Sequence, residues 1–164
     1  MHSFRLRLSG LVIATGLAAF LVGVHPGAAL ASGGPATCNG GSVASGTYTS
    51  LVIAGACAVD SGPVTVLHNL TVLPGADLYA AFGGSDLIVG GNLNTQSDAV
   101  LVLGCEPFAF TCFNDDPNNP SMSTNDRVGH NLISEDALAV LVHHNTLSGN
   151  VVQSGGGGGV NCDP

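Results

Sequence analysis

Apolar residues in this chain come in short alternating runs. Val64 and Val66, Leu70 and Val72, Leu78 and Ala80, Leu87 and Val89, and Leu101 and Leu103 each stand two positions apart. A side-chain period of two belongs to a β-strand that buries one face. Pro74-Gly75, Gly83-Gly84 and Gly90-Gly91 interrupt the runs and predict tight corners between short strands. Only Ser134-Glu135-Asp136-Ala137-Leu138 has the cap and charge of a helix start, and the β-branched and His residues beyond it argue against one.

The runs are organised by a repeat. A unit of aliphatic, any residue, Gly or His, Asn, aliphatic occurs four times: Val66-Leu67-His68-Asn69-Leu70, Val89-Gly90-Gly91-Asn92-Leu93, Val128-Gly129-His130-Asn131-Leu132 and Leu147-Ser148-Gly149-Asn150-Val151. The asparagines Asn69, Asn92, Asn131 and Asn150 are 23, 39 and 19 positions apart. Two of those gaps match one rung of a stacked β-solenoid, and the long one contains an insertion at about 105–126, rich in Pro, Asn, Asp and Ser. One apolar face per rung cannot be buried alone, but stacked copies make a continuous core. At the corners, Asn tolerates a left-handed backbone, and side chains one rung apart are placed to hydrogen-bond as a ladder. The preceding Gly or His position reads as exposed.

The fold class that follows is all-β: a short right-handed parallel β-helix of about 4–5 turns after an N-terminal signal peptide. Residues 1–31 are the signal, 32–45 a flexible lead or cap, and 46–164 the repeat domain. A looser first turn containing Cys57 closes the N-terminal end, and no amphipathic element caps the other.

From 64 to 159, the Gly/His-Asn-aliphatic units, the Leu73-Pro74-Gly75-Ala76-Asp77-Leu78 turn and the closing Gly run resemble the secreted right-handed parallel β-helix proteins of actinobacteria. These motifs report a fold and not an activity. The resemblance implies members that continue for further turns, which would make this chain a truncated member and leave Cys162 unpaired.

Composition changes the picture mainly through the N-terminus. Arg5 and Arg7 precede an uncharged apolar stretch, and Ala29-Leu30-Ala31 places small residues where a signal peptidase reads, the order of a cleaved secretory signal. A retained anchor is the competing reading, opposed by Pro26 and Gly27. Cleavage removes two of three arginines and leaves Arg127 against eleven carboxylates, a net charge of −10 with no lysine. Nucleic acid and anionic membrane surfaces are bound through Lys and Arg, so both are excluded as partners.

All five cysteines lie in the exported part, where oxidation is permitted. Proximity pairs Cys105 with Cys112, and sequence order then pairs Cys38 with Cys57, although other connectivities stay open. No C-x2-C spacing points to a metal.

Candidate chemistry is sparse. Asp115, Asp116 and Asp126 offer oxygen ligands to Ca2+, but the insertion lacks a D-x-D-x-D-G loop, so a solvated disulfide-tied loop is the simpler reading and no cofactor is expected. His143 and His144 are adjacent and point to opposite faces of a strand; Zn2+ would have to recruit His68 or His130. Asn69-Leu70-Thr71 matches a glycosylation sequon inside a predicted turn. Lyase chemistry needs a cationic base, for which Arg127 is the sole candidate. Asp115-Asp116 and Gly129-His130 resemble pieces of the polygalacturonase motifs, whose companions are missing, and the chain is short for a polysaccharide cleft.

The expectation is therefore a non-catalytic secreted or cell-surface β-helix, structural, adhesive or glycan-binding, and not an enzyme. The alternatives are a fragment of a polysaccharide lyase or hydrolase and a structural protein that self-associates through its uncapped end.

Overall fold

A computed structural model describes residues 33–60, 62–82, 85–104, 126–143 and 145–156. Residues 1–31, read from the sequence as a signal, and Cys105, Cys112, Asp115, Asp116, His144 and Cys162 lie outside the described residues. Sixteen short strands and no helix make up the described chain. The first rung is β1 (Ala36–Cys38), β2 (Gly41–Ser42) and β3 (Gly46–Tyr48). The second is β4 (Leu51–Ile53), β5 (Ala56–Ala58) and β6 (Gly62–Val66), and the third is β7 (Leu70–Val72), β8 (Asp77–Ala80) and β9 (Ser85–Val89). The fourth comprises β10 (Leu93–Thr95), β11 (Val100–Leu103) and β12 (Arg127–Val128). The fifth has β13 (Leu132–Glu135), β14 (Ala139–Val142) and β15 (Thr146–Leu147), and β16 (Val151–Ser154) opens a sixth.

Every third strand pairs in parallel. Sheet A stacks β1-β4-β7-β10-β13-β16, sheet B stacks β2-β5-β8-β11-β14, and sheet C stacks β3-β6-β9-β12-β15. This is a parallel β-helix of five three-sided rungs. The pairing offsets explain the repeat: Leu70 pairs Leu93, Leu93 pairs Leu132 and Leu132 pairs Val151, so the asparagine before each partner is displaced by the same interval. The long interval is taken up between β11 and β12, at the corner from sheet B to sheet C.

Alternation within each strand decides what enters the core. Leu51, Leu70, Leu93 and Leu132 form one inward column of sheet A, at most 1% exposed. Cys57, Leu78 and Leu101 line sheet B, and Val66, Val89 and Val128 line sheet C. Full burial of such a side chain contributes about 1.5–3 kcal/mol, so the stacked aliphatics are the principal stabilising term. The column Cys38–Ile53–Val72–Thr95–Ser134–Gln153 departs from this rule, turning polar along the stack.

Cys38 and Cys57 form a disulfide. Cys38 faces inward from sheet A in the first rung and Cys57 from sheet B in the second, so the bond crosses the interior between successive rungs. The segment 32–45 supplies β1 and β2 of the first rung. The first pairing offset is only fifteen residues, Ala36 with Leu51, and this narrow rung buries Val43 and Tyr48 completely. The Tyr48 hydroxyl donates to the Ala44 carbonyl at 2.7 Å. Among the described residues, Ser134-Glu135-Asp136-Ala137-Leu138 forms the end of β13 and a corner into β14.

Candidate functional site

Each rung turns from sheet C to sheet A at an asparagine. The carbonyls of Asn69, Asn92, Asn131 and Asn150 accept the N–H groups of Leu51, Leu70, Leu93 and Leu132 from the preceding rung at 2.9–3.2 Å. The asparagine N–H, however, faces a corner and reaches no backbone carbonyl in the ladder. The side chain below supplies the acceptor: Asn92 N–H donates to Asn69 Oδ1 at 2.9 Å, Asn131 N–H to Asn92 Oδ1 at 3.0 Å, and Asn150 N–H to Asn131 Oδ1 at 2.9 Å. The column therefore runs from side chain to backbone, not from side chain to side chain. An amide oxygen is needed, because an aliphatic residue leaves the next N–H without a protein partner.

None of these asparagines has a left-handed backbone. At the corner from sheet A to sheet B, by contrast, positive φ recurs at Gly75 (φ 68°), Asp98 (φ 59°), Asp136 (φ 52°) and Gly155 (φ 62°), and Asp98 and Asp136 are the two non-glycine residues with positive φ among the described residues. Asp and Gly tolerate that region, and the chain reverses there so that Ala76, Ala99 and Ala137 are buried immediately afterwards. The position before the ladder asparagine is exposed at His68, His130 and Gly149 and buried at Gly91. A Cβ on Gly91 would come within 2.5 Å of Asn69 Oδ1 and 2.7 Å of the His68 carbonyl oxygen, which is why glycine stands there. His68 and His130 are two rungs apart, so they do not converge on one ion.

Asp126 precedes β12 and is buried, with Oδ1 accepting the Leu87 N–H at 2.7 Å and the backbone carbonyl accepting Thr146 N–H at 3.1 Å. It closes the return from the insertion onto sheet C. Among the described residues no three His, Cys, Asp or Glu side chains gather as metal ligands would.

The three outer faces differ in character. On sheet B, Tyr79, Val100 and Leu141 surround Val102 and Ala81 in a second apolar cluster, with Val102 only 7% exposed. Sheet C carries Thr47, Thr65, Ile88, Arg127 and Thr146 outward. Sheet A presents the column Thr37, Val52, Thr71, Asn94, Ile133 and Val152, without a charge. At about 4.8 Å per strand spacing, six strands give a face roughly 24 Å long. Beside this column, at the left-handed corner, Thr71, Asn94, Thr95, Gln96, Ile133 and Glu135 line a cleft of about 230 Å³.

Sequence reasoning did not single out the cleft residues Asn94, Gln96 and Glu135. They share no motif, and only the register of three strands brings them together. The signal for the corner they flank is present, however, as Gly75-Ala76, Asp98-Ala99 and Asp136-Ala137 recurring at the rung interval. No protein-family model, curated protein or solved structure matches this chain.

Proposed function

We propose that this chain is a secreted or cell-surface β-helix of the actinobacterial type, structural and adhesive, that binds an extracellular glycan along the outer face of sheet A. The observation that carries the reading is the charge-free column leading to the cleft of Asn94, Gln96 and Glu135. Sugar hydroxyls both donate and accept, and the two amides do the same, while the carboxylate accepts. The Thr71 methyl and Ile133 give apolar contact for the C–H faces of a ring. At about 230 Å³ the cleft falls below the roughly 300–1,000 Å³ of enclosed small-molecule pockets, which fits one unit of a longer polymer lying along the face.

Charge narrows the ligand class. An exported chain of net −10 without lysine repels polyanions, so the glycan is neutral. Binding without cleavage is the favoured version, because glycoside hydrolysis places two carboxyl groups about the scissile bond and one carboxylate lines this cleft. The Cys38–Cys57 disulfide is in keeping with an oxidising exterior.

The test is a glycan array and a cell-wall pull-down with the signal-cleaved protein, followed by titration of the Asn94→Ala and Gln96→Ala variants. Binding to neutral glycans, weakened in both variants, is expected. Blank arrays and pull-downs would leave only a structural role, and release of reducing sugar would favour the enzymatic alternative.

A further inference from the structure

Asn39-Gly40 is the one Asn-Gly pair in the 164 residues of the chain. It stands between β1 and β2, at the corner where the first rung leaves sheet A, and both residues are exposed. Asparagine is a labile residue, and its fate depends on whether the backbone nitrogen of the next residue can reach its Cγ. Glycine in that place leaves the nitrogen unshielded, because it has no Cβ.

The surroundings keep the pair open. Among the described residues, neither the Asn39 side chain nor the Gly40 N–H makes a hydrogen bond. Gly40 (φ 142°) and Gly41 (φ 84°) lie in the region that favours glycine, and a Cβ on Gly41 would meet nothing within 4 Å. The chain is anchored just upstream, by the Cys38–Cys57 disulfide and by the Ala54 N–H donated to the Cys38 carbonyl at 2.7 Å. The other described asparagines lack this combination. Asn69, Asn92 and Asn131 precede leucine and have their Oδ1 engaged by the next rung. Asn150 precedes valine, and Asn94 and Asn145 precede threonine, side chains that crowd the attacking nitrogen. Asn145 Nδ2 also donates to the Leu103 carbonyl at 2.7 Å.

We propose that Asn39 is a modification site, where the folded protein spontaneously closes a succinimide ring with Gly40 and opens it to isoaspartate and aspartate. The Gly40 nitrogen gives up its proton to solvent base and attacks Asn39 Cγ. A bond forms between that nitrogen and Cγ, the Cγ–Nδ2 bond breaks, and Nδ2 takes up a proton and leaves as ammonia. Water then opens the ring. Cleavage at the original backbone carbonyl gives isoaspartate, and cleavage at Cγ gives aspartate. One water is consumed and one ammonia released, and nothing is oxidised or reduced. Either product adds a carboxylate to the exposed corner. Isoaspartate also adds one backbone atom between β1 and β2, so the pairing of Gly41 with Cys57 and Ser42 with Ala58 must adjust. The site is independent of the glycan cleft.

Peptide-mapped mass spectrometry of the purified protein with its disulfide intact, incubated folded and in parallel unfolded in urea at mildly alkaline pH, tests the proposal. Labelling by an isoaspartyl methyltransferase identifies the product. Exchange of NH2 for OH is expected in the peptide holding Asn39, with the methyl label, faster as pH rises. The folded rate is expected within about tenfold of the urea rate, since reaction only through global unfolding would be about 10³-fold slower or more. Asn39→Gln, whose longer side chain must close a larger ring, is expected to abolish the label in that peptide, with unchanged far-UV circular dichroism and melting showing that the variant is folded. A folded rate below that range, aspartate at position 39 without the label, or a label in that peptide that survives Asn39→Gln would each overturn the site.

Discussion

Replacing Thr95 by valine should stabilise this protein. Thr95 is 1% exposed and lies in an inward column between Val72 and Ser134, where its Oγ1 has no hydrogen-bond partner. A buried polar group left unsatisfied costs about 1–3 kcal/mol. Valine has nearly the same shape, so the exchange removes this cost without opening a cavity and puts a methyl group where the hydroxyl stood. The expected gain is about 1–3 kcal/mol. With a urea m-value of about 1–3 kcal/mol per M, the midpoint should rise by roughly 1 M at unchanged m. The reverse exchange calibrates the measurement: Val72→Thr, one rung away and 0% exposed, should cost a similar amount. Equilibrium urea unfolding at pH 7 of the three proteins decides. A Thr95→Val variant that loses more than about 0.5 kcal/mol refutes the reasoning, because the hydroxyl must then have a partner such as a buried water.

Three further outcomes are expected. Asn92→Ala removes the acceptor of the Asn131 N–H and should cost about 1–2 kcal/mol in urea unfolding, whereas Asn92→Asp, which keeps an acceptor oxygen, should cost less. Replacing both Cys38 and Cys57 by alanine opens a link between residues 19 apart and should lower stability by about 3 kcal/mol; equal melting of the two proteins would show that the bond does not form in solution. Burial raises the Tyr48 hydroxyl above its ordinary value of 10.0. Its contribution is therefore complete below pH 10 and lost as pH rises through the folded value, since the unfolded tyrosine ionises first. Melting temperature should fall more steeply above pH 10 in the parent than in Tyr48→Phe, which also loses the Ala44 bond at neutral pH.

Much of the architecture was legible because stacking imposes a register. Leu51, Leu70, Leu93 and Leu132 are spaced as they are because each must enter the same core one rung on. Strand alternation was readable from single strands for the same reason. The corner chemistry was legible in position but not in mechanism. Asn recurs because its Oδ1 serves the next rung's N–H, while the left-handed non-glycine residues, Asp98 and Asp136, stand at the corner from sheet A to sheet B. Local propensity allows Asn in either role, and only the distance to the neighbouring rung distinguishes them. The first rung, with β1 and β2 inside the segment read as lead or cap, carries neither the asparagine unit nor an ordinary interval. Its strands are recognisable only by their pairing with β4 and β5.

By itself the sequence determined the all-β class, the rung interval, the inward aliphatic set and the site of the insertion. All of these follow from alternation and repetition within short windows. The tertiary structure decided the rest: the disulfide crossing the interior, the unsatisfied Thr95 and Ser134 hydroxyls, and the cleft of Asn94, Gln96 and Glu135. These are relations between different rungs, set by the inter-strand register. Residues 19 to 39 positions apart along the chain become neighbours about 4.8 Å apart in the stack. No local pattern encodes which side chains then share a face.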